Sequence, residues 1–264
     1  MKYIDIHSHL NLKPLKQDEE KVITRMVEHE VGTITIGVDY DTSCEAVALA
    51  EKYDFVWAGV GMHPTDNTTE EFDVKKYTEL AKRSRVVCIG ECGVDYYRDQ
   101  SAETKQRQEK LFIQHIEIAL AVGKPLMIHA RPSKGSMDAY NDVLNILEES
   151  KKESPDLRAN FHFFVGDIEV AKRALALGFT MSFDGPITFA RDYDEVIKFL
   201  PLESIMAETD SPFAAPAPYR GGVCEPYMVT EIVKKIAEIK GLSAYEVRDQ
   251  ILDNSQKFFM LQSI

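Results

Sequence analysis

The sequence predicts an α/β fold of the (β/α)8 TIM-barrel class, as a single domain over residues 1–264. Short apolar segments rich in β-branched residues alternate with helical segments along the chain, which is typical of a parallel sheet built from βα units. Eight such strand candidates fall within 264 residues, and barrels of this class need about 250 residues. The first candidate is followed by His-Ser-His-Leu, whereas the runner-up fold, an open doubly wound sheet, ordinarily has a glycine-rich phosphate loop there.

Eight segments of four to eight residues are predicted as strands because they are apolar, rich in Val, Ile, Thr or Phe, and too short for helices. In chain order they are Tyr3–His7, Thr33–Val38, Phe55–Met62, Val86–Gly90, Pro125–His129, Ala159–Phe163, Thr180–Asp184 and Ile205–Glu208. The segments between them are long enough for crossover helices, so the strands are expected to be parallel.

Helices are predicted between and after these strands, where apolar residues recur at helical spacing. Capping and stop residues mark their ends: Asp167 and Ser243 precede helices, and Gly123 follows the longest one. In chain order the predicted helices are Glu19–Glu30, Ser43–Tyr53, Asp73–Ser84, Glu103–Val122, Asp138–Lys152, Ile168–Leu177, Tyr193–Leu200, Pro226–Ile239 and Ala244–Leu252.

The composition argues against several classes of protein. A net charge of −12 disfavours broad, sequence-independent binding along nucleic acid, because such binding needs a basic surface. It permits a pocket that binds one or two phosphates. No apolar run reaches the ~18 residues of a membrane span, and the first residues lack the features of a secretory signal. We therefore expect a cytoplasmic protein, monomeric or weakly oligomeric, with its four cysteines reduced.

Five of the seven histidines lie at or just beyond the ends of predicted strands, where a barrel places its active site. They are His7, His9, His63, His129 and His162. Residues i and i+2 of a strand face the same side, so His7 and His9 can reach one ion from inside the barrel mouth. A single histidine is more often structural than a ligand, but five at one end of a barrel indicate a metal site.

Two carboxylates follow predicted strands at the same end, Glu91 after the fourth and Asp210 after the eighth. The predicted metal ligands are therefore His7, His9, Glu91, His129, His162 and Asp210. Such donors suit divalent ions such as Zn, Mg or Mn, and the two oxygens of Glu91 allow it to bridge two ions. The ions would activate water and Asp210 would take its proton. His63 would assist the leaving group or position the substrate, or else hold its Gly-x-His-Pro turn.

Substrate-binding residues are predicted in loops beyond the same strand ends. Arg98, Arg131 and Arg220 carry guanidinium groups that match a phosphate bidentately, unless they are solvated loop charges. Tyr96 is the aromatic residue predicted to contact a base, although it could equally pack in the core.

Seven segments, in this order along the chain, resemble the TatD family of metal-dependent deoxyribonucleases. They are Asp5–Leu10, Gly61–Pro64, Ile89–Tyr96, Ile128–Arg131, His162–Gly166, Glu208–Pro212 and Pro218–Gly221. The resemblance implies a TIM barrel that binds one to three ions, with two expected here, and that hydrolyses DNA phosphodiester bonds, often from the 3′ end. It places the family's metal ligands on the six residues predicted above, and a position tied to activity on His63.

The chain departs from the family pattern at three places. Phe163 stands where Cys or Ser is usual, Cys224 stands where Asn is usual, and the stretch Arg131–Tyr140 is longer, which is expected to reshape the substrate mouth. Because activated hydroxide attacks a carbonyl as readily as phosphorus, a metal-dependent esterase or amidase, for example an aminoacyl-tRNA deacylase, is the alternative. A non-catalytic binding protein is the third reading, and it predicts that Asp210→Asn changes no turnover.

Overall fold

One parallel sheet forms the wall of the barrel. The computed structural model describes residues 1–65 and 71–261, and within them eight strands lie side by side in sequence order. They are β1 (Tyr3–Ser8), β2 (Val31–Ile36), β3 (Val56–Val60), β4 (Val86–Asp95), β5 (Leu126–Arg131), β6 (Ala159–Phe161), β7 (Thr180–Phe183) and β8 (Ile205–Ala207). The predicted domain bounds, 1–264, also include residues 66–70 and 262–264, which lie outside the described residues.

The last strand meets the first at the carboxyl end of the sheet. The Asp210 N–H donates to the His7 carbonyl at 2.9 Å, and the His9 N–H donates to the Ser211 carbonyl at 2.7 Å. Ser8 and Ser211 form a parallel bridge at the same place. The sheet therefore closes into a barrel at this end, which confirms the predicted fold class and brings the ends of β1 and β8 into contact.

The helices follow the strands as predicted, with shifted ends. In the described residues they are α1 (Glu19–Glu28), α2 (Tyr40–Lys52), α3 (Val74–Ala81), α4 (Ala102–Val122), α5 (Asp138–Glu153), α6 (Ile168–Ala176), α7 (Asp194–Phe199), α8 (Val229–Lys240) and α9 (Ala244–Phe259). No helix in this part of the chain is both long and apolar enough to cross a membrane.

Two helix ends differ from the prediction for identifiable reasons. The predicted start of α2 at Ser43 is wrong, because the Asp39 side chain accepts the Thr42 N–H at 2.8 Å and caps a helix that begins earlier. The predicted end of the last helix at Leu252 is also wrong, since buried residues continue at helical spacing as far as Phe259.

Strand β4 was predicted to end at Gly90, but it runs to Asp95. Its pairing with β5 resumes at Cys92 after a register shift. Gly90, at φ +139°, permits this shift, because a Cβ atom there would lie 2.3 Å from the Met127 carbonyl oxygen. Glu91 therefore lies on an irregularity within the strand and not in a loop beyond it.

The larger part of the core lies between the sheet and the helices. The strand residues Val60, Leu126 and Ile205 share one buried cluster with Met26 of α1 and Phe112 of α4. Burial of a side chain of this size stabilises a fold by about 1.5–3 kcal/mol. The helices therefore hold the strands rigidly, and the strand ends can position polar side chains accurately.

His115 of α4 lies in the core, at a position where the sequence predicted only a helix. Its Nε2 accepts the Met62 N–H at 2.9 Å, and its Nδ1–H donates to the Leu111 carbonyl at 2.8 Å. Burial lowers its pKa from 6.5 to about 4. The neutral ring therefore holds the backbone next to His63.

Because of His115, the stability of the protein is expected to fall between pH 7 and pH 5. Below pH 6.5 the unfolded chain takes up a proton at this histidine, whereas the folded protein resists protonation down to about pH 4. This group should lower the free energy of unfolding by about 2 kcal/mol at pH 5. Urea unfolding of His115→Gln should show that much less pH dependence than the parent, and equal pH dependence in both proteins would contradict the assignment.

Candidate metal centre

The six predicted ligands lie together at the carboxyl end of the barrel. They come from β4, β5 and the ends of β1, β6 and β8. Four of the side chains are buried, and the remaining two, His129 and Asp210, are 16% and 14% exposed. The full set is His7, His9, Glu91, His129, His162 and Asp210. Barrel closure and the irregularity in β4 together bring these distant positions into one cluster.

Glu91 lies at the centre of the cluster, and different imidazoles face each of its oxygens. Its Oε1 lies 2.7 Å from His129 Nδ1 and 2.8 Å from His162 Nε2. Its Oε2 lies 3.5 Å from His7 Nε2 and 3.8 Å from His9 Nε2. A carboxylate whose two oxygens face two donor sets is in the position of a bridging ligand.

Asp210 adds a donor to the pair on β1. Its Oδ1 lies 3.3 Å from His9 Nε2 and 3.7 Å from His7 Nε2. Its backbone has a left-handed φ of +52°, held by the hydrogen bond to the His7 carbonyl and by the Phe213 N–H, which donates to the Asp210 carbonyl. The fold thus fixes this carboxylate against the same ring nitrogens that face Glu91 Oε2.

The cluster offers two donor sets for divalent ions. Donor atoms of His7, His9 and Glu91 lie within 4.8 Å of one another, and so do those of Glu91, His129 and His162. Nitrogen and carboxylate oxygen donors of this kind bind zinc at about 2.0–2.2 Å, so side chains this close need to move little to reach an ion. The residues therefore fit divalent metal ions, and Glu91 is common to both sets.

The charges of the cluster favour ionised carboxylates. Burial alone would raise the pKa of Glu91, but the neighbouring imidazoles, His162 foremost, hold it well below its usual range. Burial also acts to raise the pKa of Asp210, yet the hydrogen bond and charge of His9 lower it. Conversely, burial would lower the pKa of His162, and the charge of Glu91 raises it well above its usual value. Both carboxylates are thus in the form that binds a cation.

The structure places His63 beside Glu91. Its Nε2 lies 3.6 Å from Glu91 Oε1, and its ring centroid lies 4.5 Å from that of His129. The Thr65 N–H donates to His63 Nδ1 at 3.3 Å, which orients the ring. His63 therefore belongs to the cluster by position, as the sequence predicted.

Two carboxylates that the sequence analysis did not select also contact the predicted ligands. Asp95 Oδ2 lies 3.2 Å from His129 Nε2, and Glu208 Oε1 lies 3.4 Å from His162 Nδ1. The signal was present for Glu208, because it stands two residues before Asp210 near the same strand end. Its contact with a ring nitrogen, however, depends on the packing of β6 against β7 and β8.

A cavity of about 620 Å³ opens over the cluster. Its walls include the predicted ligands His9 and His129 together with Arg98, Arg131 and Phe213. The Arg131 guanidinium lies over the Tyr97 ring at 4.1 Å, and 47% of its side chain is exposed. Two of the three predicted phosphate-binding arginines thus face the space next to the cluster.

The other two predicted substrate-binding residues lie elsewhere. Tyr96 is 0% exposed in the hydrophobic core, since the extra length of β4 turns its ring inward, where Lys105 Nζ lies 4.0 Å from the ring centroid. The Arg220 guanidinium lies over the Phe189 ring at 4.1 Å, and Arg220 is not among the described residues that line the cavity. The assignment of Tyr96 is therefore wrong, and that of Arg220 has no support from the geometry.

Residues 4–260 match the model of a protein family described as TatD related DNase. The chain belongs to this family. The match covers almost the whole chain, including every predicted ligand, and it agrees with the family resemblance of the seven sequence segments.

Relatives of similar length align with this TatD chain over nearly its whole length. The uncharacterized metal-dependent hydrolase YabD of Bacillus subtilis strain 168 is 37% identical over 262 residues, which are 97% of this chain and 98% of that protein. The uncharacterized metal-dependent hydrolase YcfH of Escherichia coli K12 is 33% identical over 266 residues, covering 98% and 96% of the two chains. The chain is therefore a metal-dependent hydrolase of the TatD family.

Solved structures agree with the barrel fold. YJJV, a TatD homologue from Escherichia coli K12, superposes with a TM-score of 0.85 at 24% identity, over 99% of each chain. A phosphotriesterase homology protein from Escherichia coli, which holds phosphate in its active site, superposes with a TM-score of 0.66 at 14% identity, over 97% of this chain and 98% of that one. At these identities the comparisons show the fold alone.

Proposed function

We propose that this TatD protein is a deoxyribonuclease that hydrolyses DNA phosphodiester bonds from the 3′ end with the help of two divalent ions, Zn, Mg or Mn. The observation that carries the proposal is the position of Glu91, whose two oxygens face different sets of imidazoles. Two-ion sites of this kind serve in-line displacement at phosphorus, where charge develops on both the attacking and the leaving oxygen.

Each ion would have its own donors in this arrangement. His7, His9 and Asp210 would hold one, His129 and His162 would hold the other, and Glu91 would contact both. When bound, the ions supply a water nucleophile at neutral pH and positive charge opposite the phosphate.

Asp210 is the residue proposed to take the proton from the attacking water. Its lowered pKa keeps the carboxylate ionised at neutral pH, and it lines the cavity from which water and substrate arrive. His63 lines the same cavity beside Glu91. From there it can donate a hydrogen bond to the leaving oxygen or orient the phosphate.

The charge of the protein favours cleavage at a DNA end. A net charge of −12 disfavours binding along the length of a duplex, because such tracking depends on many phosphate contacts. Arg98 and Arg131 instead place two guanidinium groups at the cavity, which suits the few phosphates of a single-stranded end. DNA would then be bound locally, in the pocket itself.

Replacing Arg131 by Ala is expected to raise KM for DNA about tenfold, since one charge-assisted contact to phosphate is worth about 1.5–3 kcal/mol. The kcat should stay within about threefold of the parent value, because the side chain of Arg131 contacts Tyr97 and Asp95 rather than Asp210 or His63. Steady-state kinetics on a short single-stranded oligonucleotide measures both constants. Arg220→Ala is the matched control, and equal effects of the two substitutions would remove Arg131 from the substrate site.

A substrate panel tests the proposed function. Metal-stripped protein, reloaded with Zn, Mg or Mn, is given single-stranded DNA labelled at either end, duplex DNA, circular single-stranded DNA and an aminoacyl-tRNA. We expect stepwise shortening of linear DNA from its 3′ end, with circular DNA left intact. If micromolar enzyme leaves every DNA intact with all three ions but cleaves the aminoacyl ester, the deoxyribonuclease proposal fails and the esterase alternative replaces it.

A further inference from the structure

The rings of His7 and His162 form a stacked pair inside the metal centre. Their centroids lie 3.9 Å apart at an interplanar angle of 14°. The Nε2 atoms of both rings face Glu91, at 3.5 Å and 2.8 Å. Both Nδ1 atoms are buried, and neither has a hydrogen-bond partner among residues 1–65 and 71–261.

The other two imidazoles of the centre do have partners for their second nitrogen. His9 Nδ1 lies 3.0 Å from the Ile36 carbonyl, and His129 Nε2 lies 3.2 Å from Asp95 Oδ2. A ligating imidazole generally donates its remaining N–H to a carbonyl or carboxylate, which fixes the ring and makes it a better donor to the metal. His7 and His162 therefore need an acceptor on the side away from Glu91.

Glu208 occupies that side. It is fully buried just beyond β8, and its Oε1 lies 3.4 Å from His162 Nδ1. Donor atoms of His7, His162 and Glu208 lie within 4.8 Å of one another. Since His7 Nε2 already faces Glu91 and Asp210, its Nδ1 is the nitrogen left for Glu208.

We propose that Glu208 is a positioning residue, the shared acceptor that orients both His7 and His162 for metal binding. The inference rests on the metal centre of the proposed function, but not on which bond is hydrolysed. It assigns one carboxylate to two ligands from different strands. Binding of both ions would then depend on Glu208, which contacts neither ion.

The carboxylate of Glu208 is held in place by other residues. The Ser182 hydroxyl donates to its Oε2 at 2.6 Å, and the Phe163 N–H donates to its Oε1 at 2.5 Å. Asn160 Nδ2 in turn donates to the Ser182 hydroxyl at 2.8 Å. Because these bonds fix the acceptor in advance, only the rings would have to turn for the Nδ1–H hydrogen bonds to form.

The first test is the metal affinity of Glu208→Gln. The amide has the same shape and keeps an acceptor for the Phe163 N–H. The Ser182 hydroxyl, which donates to Oε2 in the parent, would turn to accept from the amide, so the main loss is the negative charge facing the imidazoles. Equilibrium dialysis of the metal-free proteins against Mn²⁺ should show dissociation constants 10- to 100-fold higher than in the parent. Glu225→Gln makes the same carboxylate-to-amide change at a residue that pairs with Arg25, and its dissociation constant should stay within about threefold of the parent value.

Side-chain ¹H–¹⁵N spectra of the zinc-loaded parent provide a test that does not depend on any variant folding. We expect slowly exchanging Nδ1–H protons on His7 and His162, and their loss or upfield shift in Glu208→Gln. Rapid exchange of both protons in the parent, or equal Mn²⁺ affinity of parent and Glu208→Gln, would overturn the inference. A parent protein that binds neither Mn²⁺ nor Zn²⁺ would overturn both this inference and the metal centre, whereas failure on DNA alone would leave the role of Glu208 standing.

Discussion

Replacing Asp210 by Asn is expected to lower kcat about 10³-fold, within the range reported for loss of a general base. The amide has nearly the shape of the carboxylate, so the left-handed backbone and the contact with His9 can persist. What it cannot do is accept a proton from water. Turnover of a 3′-labelled oligonucleotide at saturating metal gives the measurement, and circular dichroism checks that the fold is retained.

Asp184→Asn is the matched control for this substitution. Asp184 is another buried carboxylate at a strand end, but burial and the charges of Glu208 and Asp210 raise its pKa well above its usual range. The raised pKa favours the neutral carboxyl form, which the amide resembles, so the amide should change kcat by less than about threefold. If Asp210→Asn kept more than a tenth of parental kcat, another group would have to be the base. The absence of turnover in parent and variant alike would favour the non-catalytic reading.

Replacing Glu91 by Gln is expected to abolish activity by a different route, the loss of bound metal. Glu91 is the residue shared by both donor sets, so the amide removes a ligand and a negative charge from each ion. Metal analysis after dialysis should find about two ions per chain in the parent, as in two-ion hydrolases, and fewer than one in the variant. Asp210→Asn should retain more metal than Glu91→Gln.

Thermodynamic linkage gives an independent readout of the same change. At a metal concentration about 100 times the dissociation constant, the parent should gain about 2.7 kcal/mol in the free energy of unfolding. Glu91→Gln should gain far less under the same conditions. Glu225→Gln is the control, since Glu225 lies away from the centre, where its carboxylate pairs with Arg25 at 2.6 Å. Metal stabilisation of Glu91→Gln equal to that of the parent would show that Glu91 is no ligand.

Much of the centre was predictable because its signals are local. Histidines near strand ends, such as His7 and His129, can be recognised once the strands are assigned, and parallel strands in a barrel bring their carboxyl ends together. The spacing of His7 and His9 needs no knowledge of the partner strands. The same reasoning located Glu91 and Asp210 correctly even though the end of β4 was misplaced.

The errors at the site share one cause, which is that contacts between distant segments decide where a side chain points. The extension of β4 depends on its contacts with β5 and on Gly90, and it buries Tyr96 in the core. Arg220 stacks on Phe189, a residue from a distant loop. No pattern within either loop distinguishes such an arginine from one that faces the cavity, as Arg131 does.

The sequence by itself determined the order of strands and helices, the class of barrel and the residues able to bind metal, because hydrophobic periodicity and residue chemistry act over a few neighbouring positions. Only the tertiary structure decided which oxygen of Glu91 faces which imidazole, and that Glu208 lies behind His7 and His162. A hydrogen bond forms only when its two atoms lie within about 3 Å of each other. Segments far apart in the chain come that close only when the barrel folds.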